Sequence, residues 1–161
     1  MGLIGETLSV PMSESREPYF LSEFRHNLDA KNRLSIPAKW RFKGDGDVEF
    51  VVFPHPHGHL MVLPPSEAEK LRKAVFEQQL GDDSAQKWQY KTFSQADSLT
   101  LDANGRFTIP ERLKKKVGIV REVVLVGMMT KFAIWSPDRW AEEAPDENRD
   151  NPSQLLKEVR V

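Results

Sequence analysis

Apolar and polar residues alternate along two stretches of this chain, and the two stretches follow the same plan. Phe20, Phe24 and Leu28 share one alternating face ahead of a polar break, and Leu34 and Ile36 resume it; Leu99 and Leu101 precede a second break that Phe107 and Ile109 follow. Period-two alternation of this kind predicts half-buried strands. The breaks read Asp-Ala-Lys-Asn and Asp-Ala-Asn-Gly. Aspartate suits the first position of a type I turn, where it accepts backbone hydrogen bonds, and Asn32 or Gly105 tolerates the positive φ of a hairpin closed by a G1 bulge. Each predicted hairpin therefore carries an arginine, Arg33 or Arg106, beside its turn, with Asp29 or Asp102 placed to stiffen the loop or orient the guanidinium.

Beyond the breaks the plan continues. Ile36-Pro37 and Ile109-Pro110 end the strands, and proline suits the first position of a following helix. Short helices are predicted over 38–43 and 111–117, stopped by Gly44 and Gly118. Strands follow at 48–53 and 60–63 in the first half and at 122–128 and 131–135 in the second, after which Pro65 and Pro137 each open a helix. Residues 66–80 and 85–93 read as helical, and 153–159 are compatible with a last helix.

The likeness is residue by residue. Leu28 to Phe42 (LDAKNRLSIPAKWRF) and Leu101 to Lys115 (LDANGRFTIPERLKK) share Leu, Asp, Ala, Arg, Ile and Pro at a constant offset of 73, which is 101 minus 28. Self-similarity at one spacing implies two copies of one structural unit. The expected fold is α+β and β-rich, with two tandem pseudo-symmetric units packed as one domain and helices after each. The expected divisions are a disordered polar arm over 1–18, a first unit with its trailing helix over 19–80, a helical connector over 81–97, a second unit with its helix over 98–144, and an acidic tail over 145–161.

Composition narrows the function. The 161 residues, 39% of them hydrophobic, suffice for a buried core. Zero cysteines exclude a disulfide framework, thiol catalysis and thiolate metal sites. The amino terminus lacks the charged and apolar regions of a secretory signal, and Glu6 stands where a myristoylation signal needs Ser or Thr. No apolar run reaches membrane-spanning length, so a cytoplasmic protein with no membrane partner is expected. The net charge of -1 conceals strong segregation. Lys31 to Lys43 holds five basic residues and no acidic one, and Asn104 to Arg121 holds six against Glu111 alone, whereas six carboxylates face two arginines from Asp138 to Asp150. Local potential rather than net charge attracts an anionic partner, and the basic patches recur at matching places in both repeats. A run of charge taken singly is more often a solvated face; recurrence favours nucleic acid.

The segments LDAKNRLSIPAKWR, LDANGRFTIP and EVVLVGMMTKFAIWSPDRW resemble the MraZ family, bacterial transcriptional regulators built from two AbrB-like (swapped-hairpin) halves. The similarity runs from about Tyr19 to about Trp140, and two Asp-x-x-x-Arg cores, each followed by Ile-Pro, make it specific. Asn32 stands where the family usually has glycine; asparagine is the next best residue for the left-handed region. The resemblance implies DNA binding through Asp29, Lys31, Asn32 and Arg33 and through Asp102, Asn104, Gly105 and Arg106. It also implies a ring-shaped homo-oligomer, recognition of short repeated boxes upstream of the division and cell-wall gene cluster, and association with the nucleoid.

Arg33 and Arg106 are the candidates for bidentate contact with guanine, with Lys31 and Asn104 beside them. Lys39, Arg41, Arg112, Lys114 and Lys115 are expected at phosphates. His55, His57 and His59, spaced at alternate positions, raise a metal site as a rival, but they fall in a predicted turn, lack carboxylate or thiolate partners and have no counterpart in the second unit. Trp40, Trp88, Trp135 and Trp140 raise single-strand stacking, against which core or interface packing is favoured. No arrangement of Ser, His and Asp and no paired carboxylate supports catalysis, and no cofactor or small-molecule substrate is indicated. The remaining alternative is an AbrB-like antitoxin-type module that binds both DNA and protein; a dimer in solution would favour it and a large ring would disfavour it.

Overall fold

A computed structural model describes residues 17–42, 48–78, 81–146, 149–151, 153, 156 and 157. Most of the expected amino-terminal arm, the helix stop at Gly44 and most of the expected last helix lie outside the described residues. The first half runs β1 (Glu23–Asn27), β2 (Arg33–Ser35), a 3-10 turn (Ala38–Trp40), β3 (Glu49–Pro54), β4 (Leu60–Leu63) and α1 (Pro65–Phe76). After α2 (Asp83–Phe93), the order recurs as β5 (Asp97–Thr100), β6 (Arg106–Thr108), α3 (Glu111–Lys116), β7 (Glu122–Gly127), β8 (Phe132–Trp135) and α4 (Pro137–Glu143). The α+β class is as expected. No helix among the described residues is long and apolar enough to cross a membrane.

One expectation needs correction. The strands either side of each Asp turn do not continue as a hairpin. The turns close as anticipated, Asn32 N donating to Asp29 O at 3.0 Å and Asp29 N to Arg33 O at 3.1 Å, with Gly105 N to Asp102 O at 3.0 Å and Asp102 N to Arg106 O at 2.9 Å. Past that rung the arms part. β1 pairs with β7 and β5 pairs with β3, so each half lends its first strand to the hairpin of the other. The resulting antiparallel sheet has the order β1-β7-β8-β4-β3-β5, while β2 and β6 form a separate two-stranded ribbon. Alternation specifies which face of a strand is buried and leaves its partner open, which is why pairing across the halves was not visible in the pattern.

The core lies between ribbon and sheet. Leu34 and Ile36 from the first half and Phe107 and Ile109 from the second are buried against Phe50, Val52, Leu60, Val62, Leu125, Phe132 and Ile134 of the sheet. The opposite sheet face carries a second cluster of Val124, Ala133 and Trp135, covered by Trp140 of α4. The central strands β4 and β8 are buried at every residue, as strands covered on both faces must be. Trp40 is fully buried, edge-on to Phe20 and Phe24 with ring centroids at 5.7 and 5.3 Å, and its indole Nε1 donates to Leu21 O at 2.9 Å. This is the packing role expected of it. The helix predicted over 38–43 is a single 3-10 turn, because Arg41 is already extended at φ -87°, ψ 143°. At the matching place in the second half, Leu-Lys-Lys-Lys sustains a true helix.

Candidate nucleic-acid interface

The ribbon brings the two Asp turns together. Its register sets Arg33 opposite Thr108 and Ser35 opposite Arg106, with Leu34 opposite Phe107 between them. Side chains alternate across a strand. Leu34 and Phe107 therefore plug the core, while Arg33, Ser35, Arg106 and Thr108 share the outer face. Neither arginine is sequestered: their side chains are 31% and 26% exposed.

Each turn is built around its aspartate. Asp29 Oδ1 accepts from the backbone N–H of Lys31 and of Arg33, both at 2.9 Å, and Oδ2 accepts from Arg33 Nε at 2.6 Å. Asp102 repeats the pattern with Asn104 N at 2.8 Å, Arg106 N at 3.0 Å and Arg106 Nε at 3.0 Å. The left-handed residues are the expected ones, Asn32 at φ 60° and Gly105 at φ 73°. Donation from the Arg33 amide, reinforced by the Arg33 side chain and the Lys31 amide, lowers the Asp29 carboxyl to about 2. Partial desolvation pushes Asp102 upward, yet the Arg106 and Asn104 amides and the Arg106 side chain outweigh it, and the net shift is down. Both carboxylates are thus ionised at neutral pH. Asp29 Oδ2 also lies 4.0 Å from Arg106 Nη1, which couples the two turns through one carboxylate.

Because each Nε is taken by its own aspartate, a ligand would be addressed from the Nη edge of each guanidinium, which in Arg106 also faces Asp29 across 4.0 Å. A guanidinium held in this way offers paired donors in a fixed plane.

The halves also grip one another at the turns. Ile109 N donates to Asn32 O at 2.8 Å and Ile36 N donates to Gly105 O at 3.0 Å. Lys114 Nζ donates to Asn32 Oδ1 at 2.9 Å, and Asn32 Nδ2 donates to Glu111 Oε1 at 3.0 Å. The Asn32 amide, with Lys114 and Lys115 nearby, lowers the Glu111 carboxyl against some desolvation. Arg41 donates from Nε to Ile36 O at 3.1 Å and lies over Gly105, where an added Cβ would stand 2.5 Å from its Cζ. Of the other expected cations, Arg112 is turned toward the entry of β5, its Nη atoms donating to Gln95 O at 2.8 Å and Asp97 Oδ2 at 2.9 Å. Lys31, Asn104, Lys39 and Lys115 occupy exposed positions. Sequence reasoning missed Glu111 and Asp97. The Glu111 to Lys114 spacing of i, i+3 was visible, but its service to a turn 79 residues away was not.

In the β3–β4 turn His55 stacks on His59, while His57 meets His55 edge-on at an interplanar angle of 66°. His59 is buried, its ring centroid 4.5 Å from His55 and 4.2 Å from Trp135, and its Nδ1 has no hydrogen-bond partner among the described residues. Desolvation, with smaller contributions from His55 and His57, lowers His59 to about 4.

Comparison with known proteins gives concordant relatives. The family described as "MraZ protein, putative antitoxin-like" matches residues 92–156. The protein named "Transcriptional regulator MraZ" from Roseiflexus sp. (strain RS-1) is 35% identical over 144 residues, covering 88% of this chain and 99% of its own. Proteins of the same name from Lactobacillus gasseri and Clostridium beijerinckii are 32% and 35% identical, covering 88% and 76% of this chain and 99% and 85% of theirs.

Proposed function

The chain belongs to the MraZ family of transcriptional regulators, and from that premise we propose that it recognises short direct repeats in duplex DNA through the turns Asp29 to Arg33 and Asp102 to Arg106. The observation that carries this reading is the shared outer face of Arg33 and Arg106, each anchored at Nε by its own aspartate. Arg33 and Arg106 present their Nη edges to guanine O6 and N7 in the major groove, and Lys31 and Asn104 flank them. Lys39 and Lys115, both exposed, meet phosphates and set register.

Few contacts per subunit make binding depend on several subunits engaging adjacent boxes. A ring-shaped homo-oligomer fits that need. Helices α1 and α2 support it: no residue of either is buried, and Phe76, Trp88 and Tyr90 are exposed at 88%, 42% and 71%, large aromatic side chains of the kind that association covers. The repeated boxes lie upstream of the division and cell-wall gene cluster, and the protein acts at the nucleoid. Footprinting on the DNA upstream of its own gene tests the target, with regularly spaced protection expected. Replacing Arg33 with alanine is expected to weaken specific binding by roughly 1 to 3 kcal/mol per engaged subunit and to erode selectivity. Unchanged selectivity in that variant would refute the assignment, and a dimer in solution in place of a large ring would favour an antitoxin-type module.

A further inference from the structure

Two cations that the charge pattern assigns to phosphate contact are committed elsewhere, at matched places. Lys114 and Arg41 are 73 residues apart, the offset of the repeat, and each packs on the left-handed residue of the opposite half's turn: Lys114 on Asn32, Arg41 on Gly105. Resting on the reading of these turns as the DNA-contacting elements, we propose that Lys114 and Arg41 are positioning residues, each aiming the arginine of the other half.

Lys114 is poorly suited to a phosphate. Its side chain is 15% exposed, its ammonium donates to Asn32 Oδ1 at 2.9 Å, and it stands 3.6 Å from the Glu111 carboxylate. A charge already neutralised by protein has few counterions to release when DNA arrives. Its geometry suits the turn instead. The Asn32 amide is held at both ends, by Lys114 on oxygen and Glu111 on nitrogen, while the Asn32 carbonyl accepts from Ile109 N. The residue next to Arg33 is thereby tied to the second half through side chain and main chain together. Arg41 acts by cover: its guanidinium lies over Gly105, tethered by Ile36 O, and Ile36 N in turn donates to Gly105 O. Bidentate recognition demands that a guanidinium be held within a fraction of an ångström, and such precision comes from the supporting residues. The two turns are fastened differently, the first by a side-chain clamp and the second by a lid over glycine. The clamp exists because this chain has asparagine at position 32.

The test uses the full chain and two duplexes, the region upstream of its own gene and a scrambled sequence of equal length, titrated by fluorescence anisotropy at several salt concentrations. Lys114→Met is expected to lower the ratio of specific to scrambled affinity by about threefold to tenfold, the worth of one hydrogen bond, while the salt slope stays unchanged. Amide exchange at Asn32 and Arg33, measured without DNA, is expected to quicken in Lys114→Met and to return toward normal in Lys114→Arg, which still donates to Asn32. Asn32→Gly removes the clamp from its other end without touching Lys114; it is expected to lower the ratio equally, and adding Lys114→Met to it is expected to cost nothing more. A salt slope reduced by about one ion with the ratio intact would make Lys114 a phosphate contact and overturn the proposal. Additive losses in the double variant would overturn it as well. Failure of the DNA-reading assignment shows separately, as an Arg33→Ala protein with normal selectivity, while amide exchange still decides whether Lys114 fixes the turn.

Discussion

Replacing Gly105 with alanine tests the turn geometry most directly. Gly105 sits at φ 73°, where an L side chain costs about 1 to 2 kcal/mol. The added Cβ would also fall 2.5 Å from Arg41 Cζ and 2.7 Å from Arg41 Nε, so the guanidinium must move off the turn. Moving it breaks the 3.1 Å hydrogen bond from Arg41 Nε to Ile36 O, worth about 0.5 to 1.5 kcal/mol. The two contributions together predict a loss of about 1.5 to 3.5 kcal/mol, or a melting temperature lower by roughly 3 to 14 °C for a chain of this size. Urea and thermal denaturation of the wild type, Gly105→Ala, Arg41→Ala and the double variant separate them. In the Arg41→Ala background the covering contribution has nothing to act on, and only the backbone cost of about 1 to 2 kcal/mol is expected to remain. Equal cost with and without Arg41 would refute the lid.

Trp40→Ala empties the centre of the aromatic cluster and leaves Leu21 O without its donor, and calorimetry is expected to show a loss of about 3 to 5 kcal/mol. His59 is held down to about 4 from an ordinary 6.5 by burial; the unfolded chain takes up the proton first, so stability is complete above about pH 6.5 and falls toward pH 4, by about 2 kcal/mol after allowance for solvent screening. Urea midpoints between pH 7 and 4.5 check this, and His59→Phe is expected to flatten the curve. Asp29, lowered to about 2 from 3.8 chiefly by the Arg33 amide, has the acid-limb sign: its hold on the turn is complete above about pH 4 and is lost as pH falls toward 2. The amide resonances of Lys31 and Arg33 report that loss, and Asp29→Asn is expected to show it already at neutral pH.

What could be read in the sequence was local chemistry. Asn32 and Gly105 adopt the left-handed conformation that an Asp-initiated turn requires, and Pro65 and Pro137 open helices where the chain leaves a strand. Those features are set by a few adjacent residues. The interface was legible to the extent that it repeats: one Asp and one Arg, four residues apart, at a fixed offset. The exchange of β1 and β5 between halves was not legible in the alternation, since Phe24 and Leu99 announce a buried face without naming the strand beside it, and only the resemblance to swapped-hairpin proteins implied an exchange. Nor was the commitment of Arg41 and Lys114 to turns of the opposite half. Side-chain charge is visible in a sequence, whereas the neighbour that claims it depends on chain crossings. The 3-10 turn at Ala38–Trp40 differs from the helix at Glu111–Lys116 because the chain extends at Arg41.

The exchanged outer strands also bear on how such a protein could arise or be dismantled. A sheet completed only when segments from 23–63 and 97–135 interleave leaves neither portion competent alone: severed from its sibling, each would expose an unpaired hairpin edge and half of a hydrophobic interior. A pairing that two copies of one unit would otherwise make between molecules is here made inside a single polypeptide, and a cut anywhere between α1 and α2 should yield pieces that remain clasped until the whole sheet melts.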